Sequence, residues 1–173
     1  YSACRHAHLE YVENPDVKAR MDAVVGREYG GSVHMISLLE FLAKRIGEDS
    51  VKSKVSKKLD GVKLAPYYGC MLRLVGSEID DIESPHLFED ILSRTGADRT
   101  ECCGASLAMP ETEIVVRLVG RIVESARASG ATAIVTACPL CQANLEMRQS
   151  GVGRGMPVVY LTQVMGVAFG LDD

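Results

Sequence analysis

From Gly61 to Leu171 the chain alternates short β-branched or apolar runs with helical stretches, and this alternation restricts the fold more than any other feature. The segments "GVKLAPYYG" (61–69), "ADRTE" (97–101), "ATAIVTA" (131–137) and "MPVVYL" (156–161) read as strands. Interleaved with them, "SPHLFEDILSRTG" (84–96), "MPETEIVVRLVGRIVESARASG" (109–130), "PLCQANLEMRQSG" (139–151) and "TQVMGVAFGL" (162–171) read as helices. Ser84 with Pro85 marks one helix start, Gly130 marks a stop, Pro139 opens the third helix and Thr162 is the expected cap of the last. Strands that alternate with helices at this spacing pair in parallel through right-handed crossovers. The expected fold class is therefore α/β: a four-stranded parallel Rossmann-like sheet with helices on both faces, preceded by a helical N-terminal segment.

In that N-terminal segment, "NPDVKARMDAVVGREYG" opens with Asn14 as cap and Pro15 at the first helical position, and is expected to stop at Gly30–Gly31. "ISLLEFLAKRIGED" sets Leu38, Leu39, Leu42 and Ile46 along one helical face. "GSVHM" between them suggests a short extended piece, and the polar "DSVKSKVSKKLDG" (49–61) reads as a linker. The expected division is residues 1–58 as helical segment and linker, and residues 59–173 as an α/β domain.

Composition narrows the function classes. The 173 residues are 47% hydrophobic, enough for one sizeable core, and carry a formal net charge of −4. The basic residues are scattered except for a loose cluster from Lys52 to Lys58, so nucleic acid is not an expected partner. The longest apolar stretch, "PVVYLTQVMGVAFGL", falls short of the ~20 residues that a membrane helix needs, and Thr162 and Gln163 interrupt it. The opening "YSACRHAHLEYVENPD" has neither an apolar core nor a cleavage site of the secretory kind, so a cytoplasmic location is expected. No Gly-x-Gly-x-x-Gly follows a strand, which leaves a dinucleotide site without support.

Five of the six cysteines fall just after expected strands: Cys70 after the first, Cys102 and Cys103 after the second, Cys138 and Cys141 after the third. Open parallel sheets bind ligands at the carboxyl ends of their strands, so three separate loops would bring thiols to one place. In "CPLC", Cys138 lies at the expected helix N-cap and Cys141 one turn in, where the helix dipole favours thiolate. Gly69 and Gly104 leave room for the backbone to approach a bulky ligand. Burial, redox chemistry and metal binding are all open to a lone Cys-x-x-Cys, but convergence on one sheet edge favours a metal or redox centre. Zinc takes four ligands in tetrahedral geometry and leaves a fifth thiol unused, whereas an all-thiolate set with a spare ligand favours an iron-sulfur cluster.

The spacing Cys70-x31-Cys102-Cys103-x34-Cys138-x-x-Cys141 resembles the cysteine-rich CCG domain found in the B subunits of heterodisulfide reductases. The phrases "APYYGCMLR", "ECCGASLAMP", "ATAIVTACPLCQANLEMRQ" and "PVVYLTQVMGVAFGL" carry the resemblance from about Val62 to the C-terminus. It implies a C-terminal CCG domain, with residues 1–58 continuing from a preceding one whose motif would end at Cys4. It also implies that Cys70, Cys102, Cys103, Cys138 and Cys141 are the catalytic, metal and cofactor ligands of a noncubane [4Fe-4S] cluster. By the same resemblance, the cluster reduces a disulfide (CoM-S-S-CoB or a related one) within a complex that includes the other heterodisulfide reductase subunits, one carrying iron-sulfur clusters and one carrying flavin. The alternative is a zinc-binding or metal-free dithiol domain that serves as a scaffold or electron-transfer module. A homo-oligomer of this chain is a further expectation.

Other residues have blander readings. His86 reads as a solvated residue of a first helical turn and His34 as a capping or core residue, while His6 and His8 sit beside Cys4, itself read as an orphan thiol. Arg73 reads as a solvated charge near the cysteine edge. Leu74, Leu107, Leu140, Met71 and Met109 surround the cysteine loops and are expected to pack as core that keeps the site dry.

Overall fold

The structure is a computed structural model that describes residues 1–69, 112–150, 152, 153 and 155–171, the side chains of Ser2 and Glu48 excepted. The N-terminal part holds α1 (Ser2–Glu13), α2 (Pro15–Val25), the short α3 (Leu38–Glu40), which runs into a π-helical stretch (Phe41–Ile46), and α4 (Glu48–Ser53). The remainder holds β1 (Leu64–Tyr67), α5 (Thr112–Ala128), β2 (Ala133–Thr136), α6 (Pro139–Met147), β3 (Val158–Tyr160) and α7 (Leu161–Ala168).

Among the described residues the sheet has three strands in the order β1-β2-β3, all parallel. The expected α/β class is thus present, with three described strands instead of four; the expected strand at 97–101 and helix at 84–96 lie outside the described residues. Side chains alternate across the sheet with period two, as a strand buried on both faces requires. Ala65, Tyr67, Ile134 and Val158 pack on one face with Val115, Val119, Ile122, Val123 and Ala126 of α5 and Leu145 of α6. Leu64, Ala133 and Val135 pack on the other with Leu161 and Val164 of α7 and Leu39, Leu42 and Val51 of the N-terminal helices. Each fully buried Val, Leu or Ile removes enough apolar surface from water to contribute about 1.5–3 kcal/mol.

The helix starts follow their sequence signals more closely than the stops. Asn14 caps α2, its side chain accepting from the N–H of Asp16 at 3.1 Å and of Val17 at 3.4 Å. The helix ends at Gly26 and not at Gly30–Gly31, because Gly26 takes the left-handed conformation (φ 73°) and donates to Asp22 O at 2.8 Å. Ser37 caps α3 through Glu40 N at 3.0 Å. In the following turns Leu39 and Leu42 are buried, whereas Ile46 faces outward.

One segment is more ordered than its composition suggests. The polar stretch after Gly47 forms α4, since Val51 finds an apolar neighbour in the sheet cluster. Ser56 N and Lys57 N then donate to Ala168 O at 2.8 and 3.0 Å and tie this stretch to the end of α7. At the other end of α7, the helix starts at Leu161 directly from β3, with Tyr160 rather than Thr162 at the cap position. Gln163 Oε1 reaches back to accept from Tyr160 N at 2.7 Å, a side-chain hydrogen bond at this helix start that does not involve Thr162. Residues 31–35, expected to be extended, join no strand.

Candidate metal centre

The strands end level. Tyr67 of β1 pairs with Thr136 of β2, and Thr136 with Tyr160 of β3, so the three carboxyl ends open on one edge of the sheet. From β2 the chain passes through Ala137 into Cys138, which is the N-cap of α6 in an extended conformation (φ −116°, ψ 116°). Pro139 takes the first helical position, where a missing N–H costs nothing. Cys138 Sγ consequently acts as the capping acceptor and receives the N–H of Cys141 at 3.4 Å. Both sulfurs thereby share one helical turn, Cys138 half-buried and Cys141 only 6% exposed against the α5 face.

This environment ionises Cys138. Its pKa falls from 9.0 to about 6, chiefly through the side-chain hydrogen bond with Cys141, against the opposing effect of burial and with help from the N–H groups of Cys141 and Leu140. Thiolate is the form that ligates metal and attacks disulfides. Tyr160 shifts the other way: burial first, then the negative charge of Cys138 and of Cys141, raises its pKa above 10.0. Its hydroxyl therefore keeps its proton at neutral pH and donates to Ala137 O at 2.6 Å.

The end of β1 meets one of these sulfurs, that of Cys141. Gly69 has φ +68°, and a Cβ built there would stand 3.0 Å from Cys141 Sγ and 3.4 Å from the Tyr67 ring. Glycine is required twice over, for its backbone angle and for its missing side chain. It immediately precedes Cys70 in the sequence.

Of the expected ligands, the structure brings Cys138 and Cys141 together; Cys70, Cys102 and Cys103 lie outside the described residues, as do Arg73, His86, Leu74, Leu107, Met71 and Met109. Among the described residues no cluster of three or more His, Cys, Asp or Glu is placed to hold a metal ion. Leu140 departs from its expected core role, being 71% exposed, because the turn that buries Cys141 points the residue before it outward. Cys4 is exposed and lines a separate cavity of about 540 Å³ with His8, Tyr11, Tyr29 and Met35, to which neither Cys138 nor Cys141 contributes. His6 and His34 are exposed, the latter against its expected capping or core role; His8 Nδ1 lies 3.4 Å from Tyr29 Oη.

Sequence reasoning missed Thr136 and Tyr160. Thr136 is fully buried, yet its Oγ1 accepts from Cys138 N at 3.3 Å. A usable signal existed: a polar residue ending each of two neighbouring parallel strands, one of them two positions before the Cys-x-x-Cys.

The model of the cysteine-rich domain family CCG matches residues 64–146. The chain is also similar, at 28% identity over 99% of its length, to the B subunit of the Ferredoxin/F(420)H(2)-dependent CoB-CoM heterodisulfide reductase of Methanosarcina acetivorans. It is 27% identical, over the same share, to the B subunit of the Ferredoxin:CoB-CoM heterodisulfide reductase of Methanosarcina mazei. It spans 63% of the length of each of these relatives. Over 83% of its length it is 32% identical to the 8-methylmenaquinol:fumarate reductase membrane anchor subunit of Wolinella succinogenes, spanning 55% of that protein. Among the described residues no helix is long and apolar enough to cross a membrane.

Proposed function

We propose that the chain is part of a heterodisulfide reductase-like oxidoreductase that reduces a disulfide at an iron-sulfur cluster held by its CCG cysteines. The observation that carries this reading is the approach of the β1 end to Cys141, one thiol of the pair at the α6 N-terminus. Gly69 leaves space against Cys141 Sγ, and the α6 N-terminus presents Cys138 and Cys141 from one turn. Both lie within the segment that matches the cysteine-rich domain family.

The donor set fits such a group, since it offers soft sulfur, one thiol already ionised near neutral pH, and a cradle that a Cβ would fill. Cys138 and Cys141 would hold the cluster together with Cys70, Cys102 and Cys103, and the resemblance to the CCG domains of heterodisulfide reductase implies a cluster of the noncubane [4Fe-4S] kind. When bound, the cluster supplies one-electron steps to the two-electron cleavage of an S–S bond. The chain's own residues do the rest. Cys138 offers thiolate without a separate base, the N–H groups at the start of α6 stabilise its charge, and the packed α5 face keeps water from Cys141. Tyr160 stays neutral beside the sulfurs and does not compete with them for positive charge.

By analogy with the Methanosarcina relatives, the substrate is CoM-S-S-CoB or a related thiol disulfide; the resemblance of the cysteine motif implies iron-sulfur and flavin subunits of the same kind of reductase as partners. The Wolinella relative favours a second reading, in which the same domain passes electrons from a quinol. Anaerobic reconstitution with iron and sulfide separates the possibilities. We expect brown protein with about four irons per chain, which once reduced is reoxidised by a disulfide. Reduction of the oxidised cluster by a menaquinol analogue, with no reoxidation by disulfides, favours the second reading. Colourless protein with one tightly held zinc overturns both and leaves a zinc-binding or dithiol scaffold.

A further inference from the structure

The peptide group between Ala137 and Cys138 is held at both polar ends. Its carbonyl accepts from Tyr160 Oη at 2.6 Å, and its N–H donates to Thr136 Oγ1 at 3.3 Å. A peptide group is a rigid plane, so fixing both ends fixes the direction from which the chain enters Cys138. What remains free before the sulfur is the cysteine's own backbone and side-chain rotation, and the hydrogen bond from Cys141 N to Cys138 Sγ restrains these.

The two holding groups differ in origin. Thr136 is local to the turn, two residues back on the same strand, whereas Tyr160 comes from the neighbouring strand. Thr136 and Tyr160 are register partners in the β2-β3 ladder, so the ring starts level with the strand end and reaches the carbonyl one residue beyond. Tyr160 is itself fixed: its N–H donates to Gln163 Oε1 at 2.7 Å, and that oxygen lies 3.5 Å from Nε2 of Gln142, the residue after Cys141. Gln142 Nε2 also donates to Val158 O at 3.4 Å, so the turn bearing the thiols is tied to β3 and to the start of α7 from two directions.

We propose that Tyr160 is a positioning residue for the Cys138–Cys141 pair, its hydroxyl completing a two-ended clamp on the peptide that leads into Cys138. Its bearing on a metal centre rests on the function proposed above; the clamp itself does not. Nothing in the fold demands a hydroxyl here, because a phenylalanine would fill the same space and leave the Ala137 carbonyl without this donor. Thr136 alone would then orient the peptide through a longer and weaker bond.

Tyr160→Phe in the whole chain tests this. In the reduced, metal-free protein, amide hydrogen exchange at Cys138 and Cys141 is expected to quicken about fivefold, the equivalent of one neutral hydrogen bond. Exchange at Val135 and Leu145 is expected to stay unchanged. Wild-type exchange at the cysteine amides overturns the clamp, and so does acceleration shared by Val135 and Leu145, which marks general loosening. After anaerobic loading with iron and sulfide, the variant is expected to give an altered electron paramagnetic resonance line at unchanged iron content; an unaltered line overturns the positioning role. If neither protein takes up iron while local exchange still quickens, the clamp stands and the iron-sulfur reading falls. Gln163→Ala serves as a second variant: it leaves the hydroxyl in place and is expected to change exchange at Cys138 by less than Tyr160→Phe, and an equal or larger change overturns the assignment to the hydroxyl.

Discussion

The cysteine edge of the sheet and the N-terminal helical hairpin each hold cysteine beside aromatic residues, but opposite forces order them. At the sheet edge, Cys141 sits among fully buried residues such as Leu145, Val115 and Val119, and the thiols take their positions from packing and strand register. The α1–α2 hairpin has no buried residue in α2 and leaves Val12, Met21, Val24 and Val25 exposed. A polar group around Tyr11 holds it instead: Tyr11 Oη donates to Asp22 at 2.6 Å and accepts from Tyr29 N at 3.1 Å, and Lys18 bridges Asp22 and Glu28. A packed face fixes donors to a fraction of an ångström, while exposed polar ties are worth less and yield to solvent. A rigid thiol site is therefore expected at the first location, and Cys4 at the second has no comparable support.

Substitutions sharpen this contrast in order of size. Leu145→Ala should destabilise the protein by about 2–5 kcal/mol in urea unfolding, because it opens a cavity beneath the thiol pair. Val24→Ala on the hairpin should stay within about 0.5 kcal/mol, since that side chain is already 88% exposed. Equal effects would erase the distinction between the regions.

Two glycines of nearly equal φ make a finer comparison. Gly69→Ala should cost about 1–3 kcal/mol and lower iron uptake, because strain adds to a 3.0 Å approach to Cys141 Sγ. Gly26→Ala, at φ +73° with nothing within 4 Å, should show the backbone penalty alone and leave iron uptake unchanged. Iron uptake that falls equally in both variants would remove the role given to Gly69.

The smallest effect concerns pH. The hydrogen bond from Tyr11, followed by the bond from Lys18, lowers the Asp22 pKa below 3.8 against the opposing effect of burial. A depressed folded-state pKa stabilises above the unfolded value and loses that contribution as pH falls through the folded one. The melting-point difference between wild type and Tyr11→Phe should therefore be present at pH 7 and shrink in strong acid. A gap that widens in acid would contradict the assigned sign.

The sheet half was legible because its strands are buried on both faces and bounded by turn residues; "ATAIVTA" and "CPLC" could be placed almost to the residue. Helix ends were less so, since Gly26, Gly30 and Gly31 all take positive φ and the sequence does not say which of them ends the helical hydrogen bonding. Leu140 was misread because an apolar residue between two cysteines gives no local sign of which way a helix N-terminus will turn. Tyr160 carried only the signal of a polar residue ending its strand; its partner, Ala137 O, lies 23 residues away, which the spacing of its own segment does not encode.

The proposed metal centre takes two of its five thiol ligands from the Cys138–Cys141 turn and none from Cys4. Iron per chain after anaerobic reconstitution of Cys138→Ser and Cys4→Ser tests it most directly. Cys138→Ser is expected to lose most of its iron while Cys4→Ser retains the wild-type amount. Full iron in Cys138→Ser would contradict it.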